Sequence, residues 1–472
     1  MDKEYFEDEE FKELLDEYEQ SVRSGQSIFM DADDLADIAD YYQQKGCFNE
    51  AQQALDRALE LQPDSVVALN YKLHNALDAG DYEAAEEHLS KIIDRDLPEY
   101  VYSRAEIWIA QGFIEEADNY LRKCFEDIPP DEYQDFVLDV ANLYTDYGYS
   151  EKAMEWMMRA RQENTDDFKE LMARTLFGLG KYDDSERIFN ELIDRDPFQK
   201  RYWHALANTQ YMKEDYGASV ASSEYAIAID PEDAEGLVAK ANALFRLDNY
   251  EEALNYYERY NEKNPDDEFG FLYQGSCLIN LGRYEEAIEK LKIAEATSPE
   301  DSPYLVEIYQ ELGFAYGEIQ MPETAIYYID QTDNLECDHI DMLVIRGHIL
   351  LGNKRTGEAE QMYKKAILQS AGSPRTLMRI IVSLYDNHYA EAAYYMFVKF
   401  FSYVGDDWNE GFSYMALCCY DLKRYDEFLG FLKKVCKLNP QEARLVLSHL
   451  FPEDMKPNEY YEYMKSKIDN SL

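Results

Sequence analysis

The chain has 472 residues, of which 96 are acidic and 46 are basic, so its formal net charge is −50. An apolar fraction of 46% excludes a disordered polyanion, because a chain with that many apolar side chains can bury a core. The negative charge argues against binding to nucleic acid or to anionic membranes, since both would be repelled. The acidic excess lies in the first 339 residues, because 17 acidic and 17 basic residues balance each other from residue 340 onward.

The first predicted element is an acidic amphipathic helix over residues 3–24. Its apolar residues recur at helical spacing: Phe6, Phe11, Leu14, Leu15, Tyr18 and Val22. The opening letters MDKEYFEDEE have no basic stretch followed by an apolar one, which argues against a secretory signal. We assign residues 1–30 to an N-terminal capping helix.

An internal repeat fills most of the remaining chain. The pattern G-x-Y-x-x-A occurs at residues 80–85 and 282–287, and its last position, here called the anchor, recurs every 32 to 38 residues. The twelve predicted anchors are Ala51, Ala85, Ala117, Ala153, Ser185, Ser219, Ala253, Ala287, Ala325, Ala359, Ala392 and Phe428. Each unit reads as a first helix, a tight turn and a second helix that often ends at a proline twelve residues after the anchor.

Small residues occupy two matched positions in the predicted hairpins. The anchor is Ala or Ser in eleven units, and the residue twelve before it is Ala or Gly in ten. Small side chains at the same height on two antiparallel helices let the backbones approach closely, while bulky residues fill the spaces beside them. A hairpin of this kind cannot bury both its faces, so neighbouring hairpins are expected to stack.

The spacing between anchors is longest after units three, eight and eleven. We interpret these longer spacings as changes in superhelix pitch rather than as linkers. Residues 441–472 then read as one or two helices broken near Pro452 and Pro457, and we assign them to C-terminal capping helices. We assign residues 31–440 to the repeat array.

At these positions the chain resembles the tetratricopeptide repeat family. The small–small contact and the terminal proline recur in register, as does the family's turn tyrosine three residues before the anchor: Tyr82, Tyr182, Tyr216, Tyr250, Tyr284, Tyr389 and Tyr425. The resemblance implies an all-α fold. It would be an alpha-alpha superhelix, or solenoid, of about twelve tetratricopeptide helical hairpins with short terminal capping helices. The first helix of each unit would line a concave groove.

The resemblance also indicates where a polypeptide would bind. In the family, asparagine eleven residues before the anchor can hold the backbone of a bound segment, because its amide both donates and accepts. We therefore predict a peptide-binding groove at Asn142, Arg174, Arg201, His204, Asn208, Tyr211 and Asn242. Alternatively, these seven residues are ordinary polar residues on a solvent-exposed face and bind nothing. The family's clamp for a C-terminal carboxylate is not expected, because Ala239 and Phe269 stand where it needs polar or basic groups.

The late units predict an apolar groove instead, formed by Leu351, Leu377, Ile381, Leu384 and Leu417. Such a strip could seat an amphipathic helix of a partner. Alternatively, the helices of residues 441–472 could fill it through Leu445, Leu447, Leu450, Tyr460 or Tyr461.

Catalytic and metal-binding motifs are not recognisable in the sequence, and we expect no cofactor. Cys418, Cys419 and Cys436 fall inside predicted helices and read as buried small residues rather than as metal ligands with His449. Seven cysteines, an odd number without framework spacing, favour reduced thiols and a cytoplasmic location.

The sequence therefore predicts a non-catalytic protein–protein interaction scaffold. Its partner would be a protein or peptide, basic toward the acidic part and amphipathic toward the apolar part. The alternative is a self-assembling structural protein whose acidic N-terminal part meets its neutral or basic C-terminal end, and weak self-association is possible in that case. An enzyme is the least expected.

Overall fold

The computed structural model describes residues 6, 8–24, 30–161, 164–405, 408–452 and 455–469. The predicted helix over 3–24 therefore falls partly on residues 3–5 and 7, which lie outside the described residues. Every regular element within the described ranges is helical, which confirms the all-α prediction. The chain divides into two compact units, Met1–Asp215 and Tyr216–Leu472.

The first unit contains one leading helix, five helical hairpins and a further first helix. Its helices are α1 (Glu9–Ser24), α2 (Ala32–Gln44), α3 (Phe48–Leu61), α4 (Val66–Asp78), α5 (Tyr82–Lys91), α6 (Pro98–Ala110), α7 (Ile114–Phe125), α8 (Tyr133–Asp146), α9 (Ser150–Met157), α10 (Asp166–Gly178), α11 (Tyr182–Arg195) and α12 (Lys200–Met212). Hairpins are formed by α2 with α3, by α4 with α5, and so on to α10 with α11.

The second unit begins with a second helix, continues with six hairpins and ends with two further helices. Its helices are α13 (Tyr216–Ile229), α14 (Ala234–Arg246), α15 (Tyr250–Lys263), α16 (Glu268–Asn280), α17 (Tyr284–Thr297), α18 (Leu305–Glu318), α19 (Pro322–Gln331), α20 (His339–Gly352), α21 (Thr356–Gln369), α22 (Pro374–Asp386), α23 (Ala390–Tyr403), α24 (Phe412–Asp421), α25 (Tyr425–Leu438), α26 (Pro440–Leu447) and α27 (Pro457–Asp469). Short 3-10 turns occupy Thr332–Asn334 and Ser448–Leu450.

The tight turn of each hairpin contains one residue in the left-handed backbone region, five residues before the anchor. Gly80, with φ of 71°, is an example. Glycine adopts this conformation without steric cost, whereas other residues do so at some expense. The second unit nevertheless places non-glycine residues there in most hairpins: Asp248, Gln320, Lys354, His388 and Lys423.

Close approach of the two helices occurs at the predicted small positions. The Ser185 hydroxyl donates to the Ala173 carbonyl across the hairpin at 2.8 Å. A Cβ atom added at Gly347 would lie 2.3 Å from Cε1 of Tyr363, the bulky residue four after its anchor. The predicted small–small contact is therefore present in the core of these hairpins.

Replacing Gly347 with alanine tests that contact. We expect the free energy of unfolding to fall by about 2 kcal/mol, because the buried Tyr363 ring must shift to admit a methyl group. Gly430→Ala is the matched control, since nothing lies within 4 Å of its added Cβ and alanine favours a helix interior by up to about 1 kcal/mol. Urea denaturation followed by circular dichroism would measure both, and equal shifts would contradict the close approach.

The eleventh hairpin corrects the predicted register by one residue. Ala392 is exposed, whereas the neighbouring Ala393 is fully buried and its N–H donates to the Tyr389 carbonyl at 2.9 Å. The left-handed turn residue His388 lies five positions before Ala393, as in the other hairpins. The anchor is thus Ala393, and Tyr389 precedes the second helix rather than filling the turn-tyrosine position. Consecutive small residues and a nearby tyrosine make an anchor at Ala392 look equally good in the sequence.

The helices at both ends pack against the hairpins next to them. In α1, Phe11 and Tyr18 are buried in the same cluster as Leu35 of the first hairpin. At the other end, α26 packs against α24 and α25, and α27 packs against α25. The Glu442 carboxylate of α26 accepts the backbone N–H of Ser413, at the start of α24, at 2.9 Å. The helix α26 therefore takes the place of the first helix of a further hairpin.

Of the C-terminal residues considered for filling the late groove, Leu447 and Tyr460 are buried by these packing contacts. Leu445 is 76% exposed. Lys433 of α25 lies 5.1 Å from the Tyr461 ring centroid, which places α27 against the last second helix.

Candidate functional site

The candidate site is the first-helix face, the surface that the first helices of the hairpins turn away from their second helices. In the first unit, histidine and carboxylate groups meet on this face. His74 Nε2 lies 2.9 Å from a Glu106 carboxylate oxygen, and the Tyr147 hydroxyl donates to the other oxygen at 3.1 Å. The hydrogen bond to Glu106 raises the pKa of His74. Three consecutive first helices are linked in this way across the face.

Arg174 and Asn142, both predicted groove residues, lie together. One guanidinium nitrogen of Arg174 donates to Asn142 Oδ1 at 2.8 Å, and a second pairs with Asp146. The Asn142 amide nitrogen donates to Asp146 at 2.9 Å. Both ends of the Asn142 amide are therefore engaged within the chain, so a bound backbone would have to replace these contacts.

Arg201 is also engaged within the first unit. Its guanidinium lies 3.0 Å from the Glu170 carboxylate and stacks near the Tyr202 ring, at 5.3 Å from the centroid. Burial raises the pKa of Glu170, and Arg201 opposes that shift. Arg174 and Arg201 therefore each neutralise an acidic group of the chain itself.

The remaining predicted groove residues differ in exposure. His204 is 7% exposed, Tyr211 is half-buried and Asn208 is exposed. In the second unit, Asn242 Oδ1 accepts the Tyr257 hydroxyl at 2.6 Å. Among these, Asn208 presents its amide most openly.

Carboxylates occupy one position of the first-helix face in four of the five hairpins of the first unit, whereas the second hairpin has Val67 there and α12 has Arg201. These carboxylates are exposed, lie eighteen residues before their anchors, and form no ion pair among the described residues: Asp33, Glu99, Asp135 and Asp167. Each stands in the first turn of its helix, where the helix dipole favours negative charge. We call these four residues the acidic row. With Arg174 and Arg201 already paired, this face presents negative charge.

The first-helix face of the second unit is more aromatic. The Phe314 and His348 rings stack with centroids 6.3 Å apart, and His348 Nδ1 lies 3.0 Å from the Ser383 hydroxyl. Burial, followed by the charge of Glu307, raises the pKa of Glu311 to about 7. Glu311, which is costly to ionise, stands one turn before Phe314 in α18 and accepts the Ser276 hydroxyl of α16 at 3.4 Å.

The corrected register changes the predicted apolar groove. Ile381 lies twelve residues before Ala393, fills the small-residue position and is 1% exposed, so its prediction as a groove residue is wrong. Leu377 and Leu384 likewise leave the groove positions because the register moves by one residue, although they are half-buried and pack against the same core cluster as the residues that replace them. With the anchor at Ala393, the groove positions of the eleventh hairpin are occupied by Met378, Val382 and Tyr385, and all three side chains are half-buried.

Leu351 and Leu417 keep their predicted positions, but they are only 5% and 6% exposed. The sequence reasoning missed Met378, Val382 and Tyr385 because the eleventh anchor was misplaced. An anchor at Ala393 lies 34 residues after the anchor Ala359, which is the usual spacing of the repeat. That spacing is the signal in the sequence that could have identified these three residues.

The cysteine cluster considered in the sequence is buried. Desolvation raises the pKa of Cys418 and of Cys419 to about 12, and that of Cys436 to about 11. In the part of the chain that the structure describes, three or more His, Cys, Asp or Glu side chains nowhere come together as a metal site. None of the described helices is both long and apolar enough to cross a bilayer.

Family models match three stretches of the chain. Tetratricopeptide repeat models match residues 35–65 and 171–234, and the model described as anaphase-promoting complex, cyclosome, subunit 3 matches residues 212–294. No curated protein matches the sequence.

Several solved structures are similar in part. A crystal structure of MamA is 19% identical, with a TM-score of 0.32 over 34% of this chain and 91% of that one. MamA from Desulfovibrio magneticus RS-1 is 17% identical, with a TM-score of 0.35 over 37% and 96%. YrrB, described as a TPR protein with an unusual peptide-binding site, is 21% identical, with a TM-score of 0.34 over 41% and 95%.

Proposed function

Because the chain belongs to the tetratricopeptide repeat family, we propose that it is a non-catalytic scaffold that binds a basic polypeptide segment on the first-helix face of its first unit. Residues 31–440 form the repeat array in this proposal, and residues 1–30 and 441–472 cap it. The seven free thiols suit a reducing compartment, so we place this function in the cytoplasm.

The observation that carries the proposal is the acidic row. Arg174 pairs with Asp146 and Arg201 pairs with Glu170, and Arg201 also attracts Asp167 at the end of the row, so the charges of Asp33, Glu99 and Asp135 are the least offset. A segment with lysine or arginine at suitable spacing would pair with these carboxylates, and the field of the acidic unit would speed its encounter.

Polar groups next to the row would then contact the backbone of the segment. Asn208 offers an exposed amide that can donate and accept. Asn142 and Arg174 would join if the segment replaced their bonds to Asp146. The second unit, taken by itself, offers Asn242, Met378, Val382 and Tyr385 on its first-helix face for a separate apolar segment, whereas Leu351 and Leu417 are too buried to take part without rearrangement.

Neutralising the acidic row tests the proposal. We expect the whole chain to bind a labelled lysine- and arginine-rich peptide at low salt, with an affinity that falls as salt rises. The variant Asp33→Asn, Glu99→Gln, Asp135→Asn, Asp167→Asn should weaken binding by about tenfold or more, because it removes four carboxylates from one face. Fluorescence anisotropy would measure the dissociation constants.

A matched control separates this face from the overall charge. Glu50→Gln, Glu83→Gln, Glu116→Gln and Glu151→Gln remove four exposed carboxylates from the first turns of second helices in the same unit. We expect this control to change the affinity by less than about threefold. Equal losses in both variants, or no binding of the peptide at low salt, would contradict the proposal.

A further inference from the structure

Exposed lysines recur on the second helices of the last three hairpins. They come from the C-terminal halves of α21, α23 and α25: Lys364, Lys365, Lys399, Lys433, Lys434 and Lys437. We call them the lysine band. They stand at matching heights, five, six or nine residues after their anchors.

Large apolar side chains lie exposed among these lysines. Leu368 is 79% exposed, Tyr403 is 63% exposed and Val398 is 47% exposed. Leu438 at the end of α25 adds a fourth, at 44%. Apolar side chains are unremarkable singly on a surface, but here they share one face with six cations.

Contacts between the helices bring these residues together. The Tyr403 hydroxyl donates to the Gly372 carbonyl, just after α21, at 3.5 Å. Phe401 of α23 stacks with Phe431 of α25 at 6.3 Å between centroids. These two contacts connect α23 with the turn after α21 and with α25.

Half of the six lysines are engaged within the chain. Lys364 pairs with Glu360 at 2.7 Å, Lys433 lies 5.1 Å from the Tyr461 ring centroid, and Lys434 lies over the Phe412 ring at 4.0 Å. In contrast, Lys365, Lys399 and Lys437 form no ion pair with any described residue. The chain has a net charge of −50, so a surface region with several positive charges is unusual for it.

We propose that the lysine band binds an acidic segment of a partner protein, one that carries aliphatic or aromatic residues between its carboxylates. The carboxylates would pair with Lys365, Lys399 and Lys437, while the apolar residues of the segment would cover Leu368, Val398 and Tyr403. A flexible segment brings few charges close to the chain, so the acidic excess of the chain repels it weakly once salt screens exposed charges, over about 8 Å at 0.15 M. Nucleic acid, an anionic bilayer or a second copy of this chain would each bring a far larger negative charge.

The band and the acidic row lie on different helices of different units, so this inference does not depend on the proposed function. A scaffold with both would hold a basic segment in its first unit and an acidic segment in its second unit. Loss of binding to the basic segment would therefore leave binding to the acidic segment intact, and the reverse also holds.

Charge reversal in the band tests the inference. The probe is a labelled peptide of about 15 residues in which Glu and Asp alternate with Leu and Phe, with an oligoglutamate of equal charge for comparison. We expect the whole chain to bind the first peptide more tightly than the second, at about 150 mM NaCl. The variant Lys365→Glu, Lys399→Glu, Lys437→Glu should weaken binding by at least about tenfold. Leu368→Ser with Tyr403→Ser should remove the preference for the peptide with apolar residues.

The control reverses three exposed lysines of the first unit, Lys45→Glu, Lys123→Glu and Lys181→Glu, for the same change in net charge. Its affinity for the acidic peptide should stay within about threefold of the original, and circular dichroism should show both variants folded. The inference is overturned if neither peptide binds, or if the control loses as much affinity as the band variant. It is also overturned if the band variant abolishes only the binding of single-stranded DNA or phosphatidylserine vesicles, or only concentration-dependent self-association in light scattering.

Discussion

Replacing Asp118 with alanine is expected to lower the free energy of unfolding by about 3 kcal/mol. This carboxylate is 3% exposed in the second helix α7. Its Oδ1 accepts the indole N–H of Trp156 at 2.9 Å, and its Oδ2 accepts Nε of Arg122 at 2.7 Å. Removing it leaves a fully buried indole N–H without a partner and takes one of two carboxylate partners from Arg122, which keeps Glu155, and from Lys152, which keeps Glu115.

Urea denaturation followed by tryptophan fluorescence would measure this loss. Glu116→Ala is the control, because it removes an exposed carboxylate two positions away in the same helix and should change stability by less than about 0.5 kcal/mol. A loss below about 1 kcal/mol for Asp118→Ala would mean that the indole and the cations find other partners.

The same residue predicts a dependence on pH. Burial works to raise the pKa of Asp118, but the hydrogen bonds from Arg122 and Trp156 prevail and hold it below its ordinary value. Such a group stabilises the fold fully above the ordinary aspartate pKa of about 4, and that contribution is lost as pH falls through the lower folded value. The stability difference between the original chain and Asp118→Asn should therefore be constant near neutral pH and shrink below about pH 4.

Replacing Phe397 with alanine is expected to cost about 3 to 5 kcal/mol, because a fully buried ring is lost from the core. Phe397 lies four residues after Ala393, the position that bulky residues fill in other hairpins. Its ring stacks on Phe401 with centroids 5.7 Å apart. The cavity cannot collapse easily, since α22 and α24 pack on both sides of α23.

The neighbouring residue supplies the comparison that tests the register of the eleventh hairpin. An anchor at Ala392 would put Met396 in the bulky position, but Met396 is only half-buried. We expect Met396→Ala to cost about 1 kcal/mol or less, measured by urea denaturation alongside Phe397→Ala. If the methionine variant lost more stability than the phenylalanine variant, the register with Ala393 would be wrong.

The hairpins could be predicted because small residues recur at two matched positions along the chain. The eleventh hairpin shows where that signal ends, since Ala390, Ala392 and Ala393 compete for one position. Sequence letters alone cannot choose among them. In the structure, the left-handed turn at His388 and the burial of Ala393 decide the register.

The candidate site was less predictable than the fold. Repeat spacing placed Asn142 and Arg174 at equivalent positions of neighbouring units, and the structure does bring them into contact. The repeat spacing could not reveal that the Asp146 carboxylate would bind both Asn142 and Arg174. Those contacts depend on the conformations of the side chains, which the spacing does not determine. The division of the chain after Asp215 also left no mark in the repeat pattern.

The left-handed turns have an energetic consequence that differs between the two units. A residue with a side chain gives up about 1 kcal/mol in this conformation relative to glycine. Five such turns in the second unit, at Asp248, Gln320, Lys354, His388 and Lys423, amount to about 5 kcal/mol, as much as the net stability of many small domains. Packing within each hairpin and stacking between successive hairpins together have to outweigh that cost, and in a repeat array the stacking share comes from neighbouring hairpins.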